Sequence, residues 1–276
     1  MKFGIAMFPT DYAIPVTELA KAVEDLGFES LLFPEHTHIP VSRRSPWPGG
    51  ADLPQEYWHT LDPFVASGAA LAVTKKLMVG TGICLVIERD PIALAKEVAS
   101  VDFLSGGRCL FGIGAGWNLE EMENHGTDPN HRFAIMKERV LAMKEIWTKD
   151  EAEFHGKHVN FDPIWSFPKP AQKPYPPILI GGGGPHVLDR VVAYGDEWIP
   201  NRVRIEEMGT IIGALQVKAK AAGRGPIPVT IFGARPDKAT IERYAEAGVT
   251  RCSFVIPPAA AAETLPRLTT LAELVG

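Results

Sequence analysis

Cysteine is scarce in this chain: Cys84, Cys109 and Cys252 are an odd number, far apart and each in an apolar context. That excludes a disulfide framework and predicts buried thiols in a reducing compartment. No basic block runs longer than Arg43-Arg44, and 33 acidic residues outweigh 28 basic ones for a net charge of −5. Nucleic acid is therefore not an expected partner. No apolar run approaches the roughly 18 residues of a membrane span, and the opening Met1 to Pro9 is too short for a secretory signal. The chain is expected to act in the cytoplasm, away from membranes. What it has is apolar mass: 276 residues at 46% hydrophobic suffice to bury roughly 75% of the unfolded surface in one core.

Short β-rich runs alternate with helical patterns from end to end. Strands are predicted at 3–8, 30–34, 77–86, 108–113, 178–181, 196–200, 227–232 and 251–256, each followed by an amphipathic stretch. Leu19, Val23 and Leu26 mark the first helix, which Gly27 closes. Asp90 followed by Pro91 reads as an N-cap and first helical residue. Two segments break the rhythm. Residues 39–60 form a long loop rich in Pro, Gly and aromatics, a candidate lid in which Trp47, Tyr57 and Trp58 either stack on a ring or anchor the loop. Residues 150–176 read as an insertion containing a hairpin around Phe154 to His158. Both are expected to set the substrate. Eight βα units with no dinucleotide fingerprint at the first turn predict a (β/α)8 barrel, a TIM barrel with an insertion between strands four and five, as one domain over 1–276.

Right-handed crossovers put every strand-to-helix turn on one face of such a barrel. Two glycine clusters fall there: Gly112-Ile113-Gly114-Ala115-Gly116 after strand four and Gly181 to Gly184 after strand five. Bare backbone beside a helix N-terminus makes an anion site, and neighbouring clusters favour a cofactor phosphate over mere tight turns. A dinucleotide fingerprint fits poorly, because the motif comes late and no acidic strand end follows at about 20 residues. His36-Thr37-His38 ends strand two. An H-x-H pair on a barrel can hold zinc, but the other strand ends offer too few further ligands, so no metal is expected. His36 is left as a proton donor or acceptor beside a substrate, or as a histidine simply hydrogen-bonded at the barrel mouth. His59, His125, His131, His155 and His158 read as surface residues, and Glu120 and Glu121 as solvated acids at a helix start.

The order of these motifs carries a resemblance. Glu35-His36, Gly80-Thr81-Gly82-Ile83, Asp90-Pro91 with Ala95-Lys96-Glu97, Leu104 to Arg108, Gly112 to Trp117, Pro177 to Gly184 and Gly195-Asp196 together resemble the luciferase-like monooxygenase superfamily. Within it the chain is most similar to the coenzyme F420-dependent oxidoreductases, over residues 1 to about 202. The resemblance implies a deazaflavin or FMN at the C-terminal face of the barrel. Its ring would lie against Glu35, Gly82 and Ile83, flanked by Gly114, Ala115, Gly116, Trp117 and Asn118, with its phosphate at Gly182, Gly183, Gly184 and Pro185. It also implies a non-proline cis peptide at Gly82-Ile83 and a proton-transfer role for His36. Some relatives place a carboxylate just after the glycine turn, where this chain has Trp117, and Glu120 and Glu121 one turn on either substitute for it or are the solvated helix-start acids read above.

The function expected from the resemblance is hydride transfer between coenzyme F420 and a small organic substrate, by an enzyme that is commonly a homodimer. An FMN-dependent monooxygenase is the alternative within the family. A flavin-binding protein without turnover is the alternative from another class.

Overall fold

The computed structural model describes residues 1–50, 52–201 and 203–276. From the N-terminus, β1 (Lys2–Ala6), α1 (Val16–Asp25), β2 (Ser30–Phe33), α2 (Glu56–His59), α3 (Pro63–Val73), β3 (Met78–Leu85) and α4 (Pro91–Ser105) follow one another. Next come β4 (Cys109–Gly114), α5 (Leu119–Asn124), α6 (Arg132–Thr148), β5 (Glu151–His155), β6 (Asn160–Trp165) and β7 (Ile178–Gly181). The chain closes with α7 (Val187–Tyr194), β8 (Glu197–Ile199), α8 (Ile205–Ala221), β9 (Thr230–Phe232), α9 (Lys238–Glu246), β10 (Arg251–Val255) and α10 (Ala261–Val275).

Eight of the strands pair in parallel in the order β8-β7-β4-β3-β2-β1-β10-β9. A parallel bridge between Trp198 and Val229 joins the two edges and closes the ring. The fold is the expected (β/α)8 barrel. Side chains alternate across each strand with period two. Ala6, Leu32, Leu110, Leu179 and Ile199 therefore pack together inside the barrel. Their neighbours Ile5, Leu31, Phe111 and Ile180 face outward into the larger core beneath the helices.

Local chemistry sets the helix starts. Asp62 and Asp90 each precede a proline, and each aspartate accepts two backbone amides of the first turn at 2.9–3.0 Å. The three cysteines are free and buried. Sequence patterning missed two short helices, α2 within the 39–60 loop and α5 behind the glycine turn. The insertion holds the antiparallel hairpin β5–β6. Its turn is tied to the flank of α6, where the Glu138 carboxylate accepts the amides of Lys157, His158 and Val159. The expectation that this insertion shapes the substrate site is corrected: it connects a helix to the N-terminal end of the next strand, and no residue of it lines the cavity described below.

The N-terminal end of the barrel is sealed by Arg251, which donates to Glu29 at 2.8 and 3.0 Å and to Glu197 and Thr230 at 2.8 Å each. Burial alone would raise the Glu29 carboxyl, yet Arg251 and Lys2 beside it bring it down from 4.5 to about 2. A carboxyl depressed by folding stabilises the protein above its unfolded value, and that contribution fades as pH falls through the folded one. Glu29→Gln should thus cost about 2–3 kcal/mol at pH 7. Urea unfolding at pH 7 and pH 3 checks this, the gap between wild type and variant shrinking at the lower pH.

Candidate active site

A cavity of about 470 Å³ opens at the C-terminal ends of the strands. Three stretches of bare or small backbone make its floor: Gly82-Ile83 on β3, Gly114-Ala115-Gly116 after β4 and Gly181-Gly182 after β7. The Gly82–Ile83 peptide is cis, and the β3–β4 register shifts between Thr81 and Cys84. A Cβ on Gly112 would lie 2.2 Å from the Thr81 carbonyl oxygen, so the close approach of β3 and β4 needs glycine there, and one on Gly114 would lie 2.7 Å from Cδ1 of Ile83. Gly116 has φ +65°, a conformation other residues rarely adopt.

Aromatic rings form the walls. Trp47 and Tyr57 come from the long loop, Trp117 from the glycine turn, Phe8 from the end of β1 and Phe133 from α6. His36 sits among them, its ring centroid 5.1 Å from Tyr57 and 5.8 Å from Trp117. The loop aromatics divide: Trp47 and Tyr57 face the cavity, whereas Trp58 is half exposed.

Beneath His36 lies a set of buried acids. Nδ1–H of His36 donates to Oε2 of Glu121 at 2.7 Å, both side chains being almost wholly buried. Glu35 accepts the Leu85 amide and Nε of Arg89, each at 2.6 Å. Arg89 also reaches Asp62 and Glu97. Glu88, buried below Gly116, faces Glu121. Burial first, then the Glu121 and Glu35 charges, hold the Glu88 carboxyl well above the usual range, so it carries a proton at neutral pH. Glu120 turns the other way. It accepts the Ser45 amide at 2.8 Å and the Ser45 hydroxyl, clamping the 39–60 loop down on the barrel.

This arrangement suits a planar, largely apolar ring laid on the glycine floor with a proton-transfer group at its edge. The sequence profile of the luciferase-like monooxygenases matches residues 5–236. The chain belongs to that family. Uncharacterized protein Rv0953c of Mycobacterium tuberculosis is 40% identical over 264 residues, spanning 93% of this chain and 92% of that one. The F420-dependent hydroxymycolic acid dehydrogenase of the same organism is 26% identical over 221 residues, 79% of this chain and 56% of that one. FMNH2-dependent dimethylsulfone monooxygenase of Pseudomonas putida is 32% identical over 160 residues, 57% of this chain and 44% of that one. The fold is shared with monooxygenase RslO1 from Streptomyces bottropensis, at TM-score 0.81 and 21% identity over 100% of this chain and 98% of that one.

Among the residues singled out from the luciferase-like pattern, the cavity gathers His36, Glu35, Gly82, Ile83, Gly114, Ala115, Gly116, Trp117 and Gly182. Asn118 is not on its wall. Its side chain caps α5 by accepting the Glu121 amide at 3.4 Å. Gly183, Gly184 and Pro185 are exposed and outside the lining. His36 and His38 take separate partners, His38 bonding Thr37 and Asn124. Arg44 pairs with Glu123 at 2.7 Å. The reading of Glu120 and Glu121 as solvated acids is overturned, since they are 4% and 0% exposed. Asn118 three residues before Glu121 is a capping pattern that marks a helix start, but it does not say which way the acids of that helix face. Phe8, Phe133, Asn201 and Phe232 also line the cavity and carried no sequence signal.

Glu120 is held at about 2 by the Ser45 hydroxyl and amide, against the upward pull of burial. Removing this acceptor costs about 1.5–3 kcal/mol of loop closure, the worth of hydrogen bonds to a charged group. Glu120→Ala should accelerate tryptic cleavage at Arg43 or Arg44 by about tenfold, measured by peptide mapping of the folded protein.

Proposed function

We propose that this protein is an oxidoreductase that moves a hydride between coenzyme F420 and a small organic substrate. The observation that carries the reading is the buried His36–Glu121 pair on the wall of a glycine-floored, aromatic-sided cavity. Because Nδ1 is engaged by Glu121, Nε2 is the nitrogen left for a ligand in the cavity. An imidazole fixed by a carboxylate takes or gives a proton at a defined place, which is what oxidation of an alcohol or reduction of a carbonyl requires.

The residues present fit a flavin or deazaflavin. Gly114, Ala115 and Gly116 line the cavity with almost no side chain, and Ile83 stands beside Gly114. In this reading Gly82, Ile83, Gly114 and Ala115 bear the ring and Trp117 closes its edge, while Gly182 to Pro185 meet the phosphate. The cofactor supplies the two-electron acceptor or donor; the protein orients the reactants, excludes water and manages the proton. Trp47 and Tyr57, clamped over the site through Glu120, do the excluding. His36 holds the substrate hydroxyl at Nε2 and takes its proton as the carbon loses hydride, or returns it in the reverse direction.

The F420-dependent relative supports the deazaflavin reading, and the FMNH2-dependent relative supports a second one, a flavin monooxygenase on the same scaffold. Titrating purified protein with coenzyme F420 and with FMN, followed by fluorescence, separates them. Tight FMN binding with none of coenzyme F420 would sink the first reading. With coenzyme F420 bound, His36→Ala should lower kcat by about 10²–10⁴ and leave cofactor affinity nearly intact. Gly114→Ala should do the opposite, raising the cofactor Kd by about tenfold through overpacking against Ile83.

A further inference from the structure

His36 is buried, and on the cavity side aromatic rings stand around its exposed edge. Its other edge rests on Glu121. Among the described residues, Oε1 of Glu121 and both oxygens of Glu88 lack a hydrogen-bond partner, and both side chains are about 1% exposed. Buried carboxyl oxygens left in this state are costly unless a proton lies between them. Facing each other, the two acids cannot both ionise, and a single shared proton satisfies the pair. Oε2 of Glu88 lies 3.9 Å from Nε2 of His125, which sits one helical turn beyond Glu121 on α5 and reaches the surface. The Thr37 hydroxyl contacts the same nitrogen at 2.7 Å.

We propose that Glu121, Glu88 and His125 form a proton path carrying the proton exchanged at His36 to solvent on the side of the imidazole away from the cavity. The inference rests on the oxidoreductase reading for the source of the proton, but not for the path itself. In the oxidising direction the substrate hydroxyl loses its proton to Nε2 of His36, and Nδ1–H passes its own to Glu121. Glu121 hands a proton to Glu88, Glu88 releases the one it held to neutral His125, and His125 gives it to water. One proton leaves the substrate and one reaches solvent; Glu88 ends protonated as it began, and His36 ends with its proton on Nε2, to be returned to a carbonyl in the reducing direction as Nδ1 regains one from Glu121. No oxidant beyond the cofactor is involved.

The surrounding charges suit this task. Glu35 is saturated by Arg89 and the Leu85 amide, so Arg89 is drawn away from Glu88. Arg139, the other cation facing Glu88, donates Nη1 to the Val86 carbonyl. His125 is held below its ordinary pKa, by burial first and by the nearby His38 second, so a proton that reaches it is passed on readily to water. The 3.9 Å step between Glu88 and His125 is short enough for one water or a small swing of the imidazole to bridge.

Glu88→Gln is the natural variant, because a neutral amide keeps a donor toward Glu121 while removing the exchangeable proton. His125→Gln interrupts the path at its surface end. Infrared spectra of the cofactor-free protein at pH 7 should show a protonated-carboxyl band that is absent from Glu88→Gln and present in His125→Gln. On transfer to heavy water, that band should shift about tenfold more slowly in His125→Gln than in wild type. With coenzyme F420 and a turned-over substrate, a pH indicator should report proton release in step with cofactor absorbance in wild type and about tenfold behind it in both variants. A missing carboxyl band in wild type, or exchange as fast in His125→Gln as in wild type, overturns the path. Failure of coenzyme F420 to bind would overturn only the cofactor reading, since the infrared measurements need no cofactor.

Discussion

Everything distinctive about the site follows from the hydrogen bond between His36 and Glu121. A carboxylate beneath an apolar floor is costly to desolvate, and only a charged or strongly polar partner at close range makes it tolerable. The imidazole supplies that partner and is fixed by it in turn. The pairing dictates where α5 must begin, because Glu121 has to arrive under β2 immediately after the glycine turn, and Asn118 starts the helix there. Successive residues on a helix point about 100° apart. Glu120 accordingly faces the loop and holds Ser45 while Glu121 faces His36, and His125, four residues on, lies above Glu121 on the same side. One short helix thereby ties down the lid, orients the imidazole and approaches the surface.

The acids at the barrel mouth differ in their partners. Glu35 has an arginine and a backbone amide; Glu121 has the Nδ1–H of His36. Glu88 has neither, and burial first and the neighbouring acids second hold its carboxyl well above the usual range. Arg89 is the pivot of this division. It joins Glu35 at the end of β2 to Asp62 at the start of α3 and Glu97 within α4, so the strand end that carries His36 is braced against two outer helices. The N-terminal end of the barrel repeats the logic for stability alone, where Arg251 is saturated by Glu29, Glu197 and Thr230 far from the cavity. The same chemical solution serves reactivity at one end and closure at the other.

The barrel was legible because its signals are local. Period-two strands, amphipathic stretches and Asp-Pro helix starts each sit within about a dozen residues, and their regular alternation leaves little choice of architecture. The glycine floor was legible for a similar reason, since close backbone approach demands glycine wherever it occurs. The acids were not. Glu88, Glu120 and Glu121 look solvated in sequence because nothing beside them announces a partner; Ser45, His36 and His125 come from other segments. The 150–176 insertion misled for the converse reason: its aromatic and basic composition suggests binding, but only topology says that a helix-to-strand connection lies away from the strand ends that build the site.

Trp117 takes its meaning from this geometry. The resemblance to the family implies, in some of its members, a carboxylate directly after the glycine turn. Here the position holds an indole that walls the cavity, and the nearest usable acid is Glu121, one helical turn further on and beneath His36. Moving the charge from wall to underside has two physical consequences. The cavity itself becomes more apolar, which favours substrates without a charge of their own near the reacting carbon. The acid stands off the cavity wall, so whatever it does for the cavity it does through the imidazole it holds at 2.7 Å.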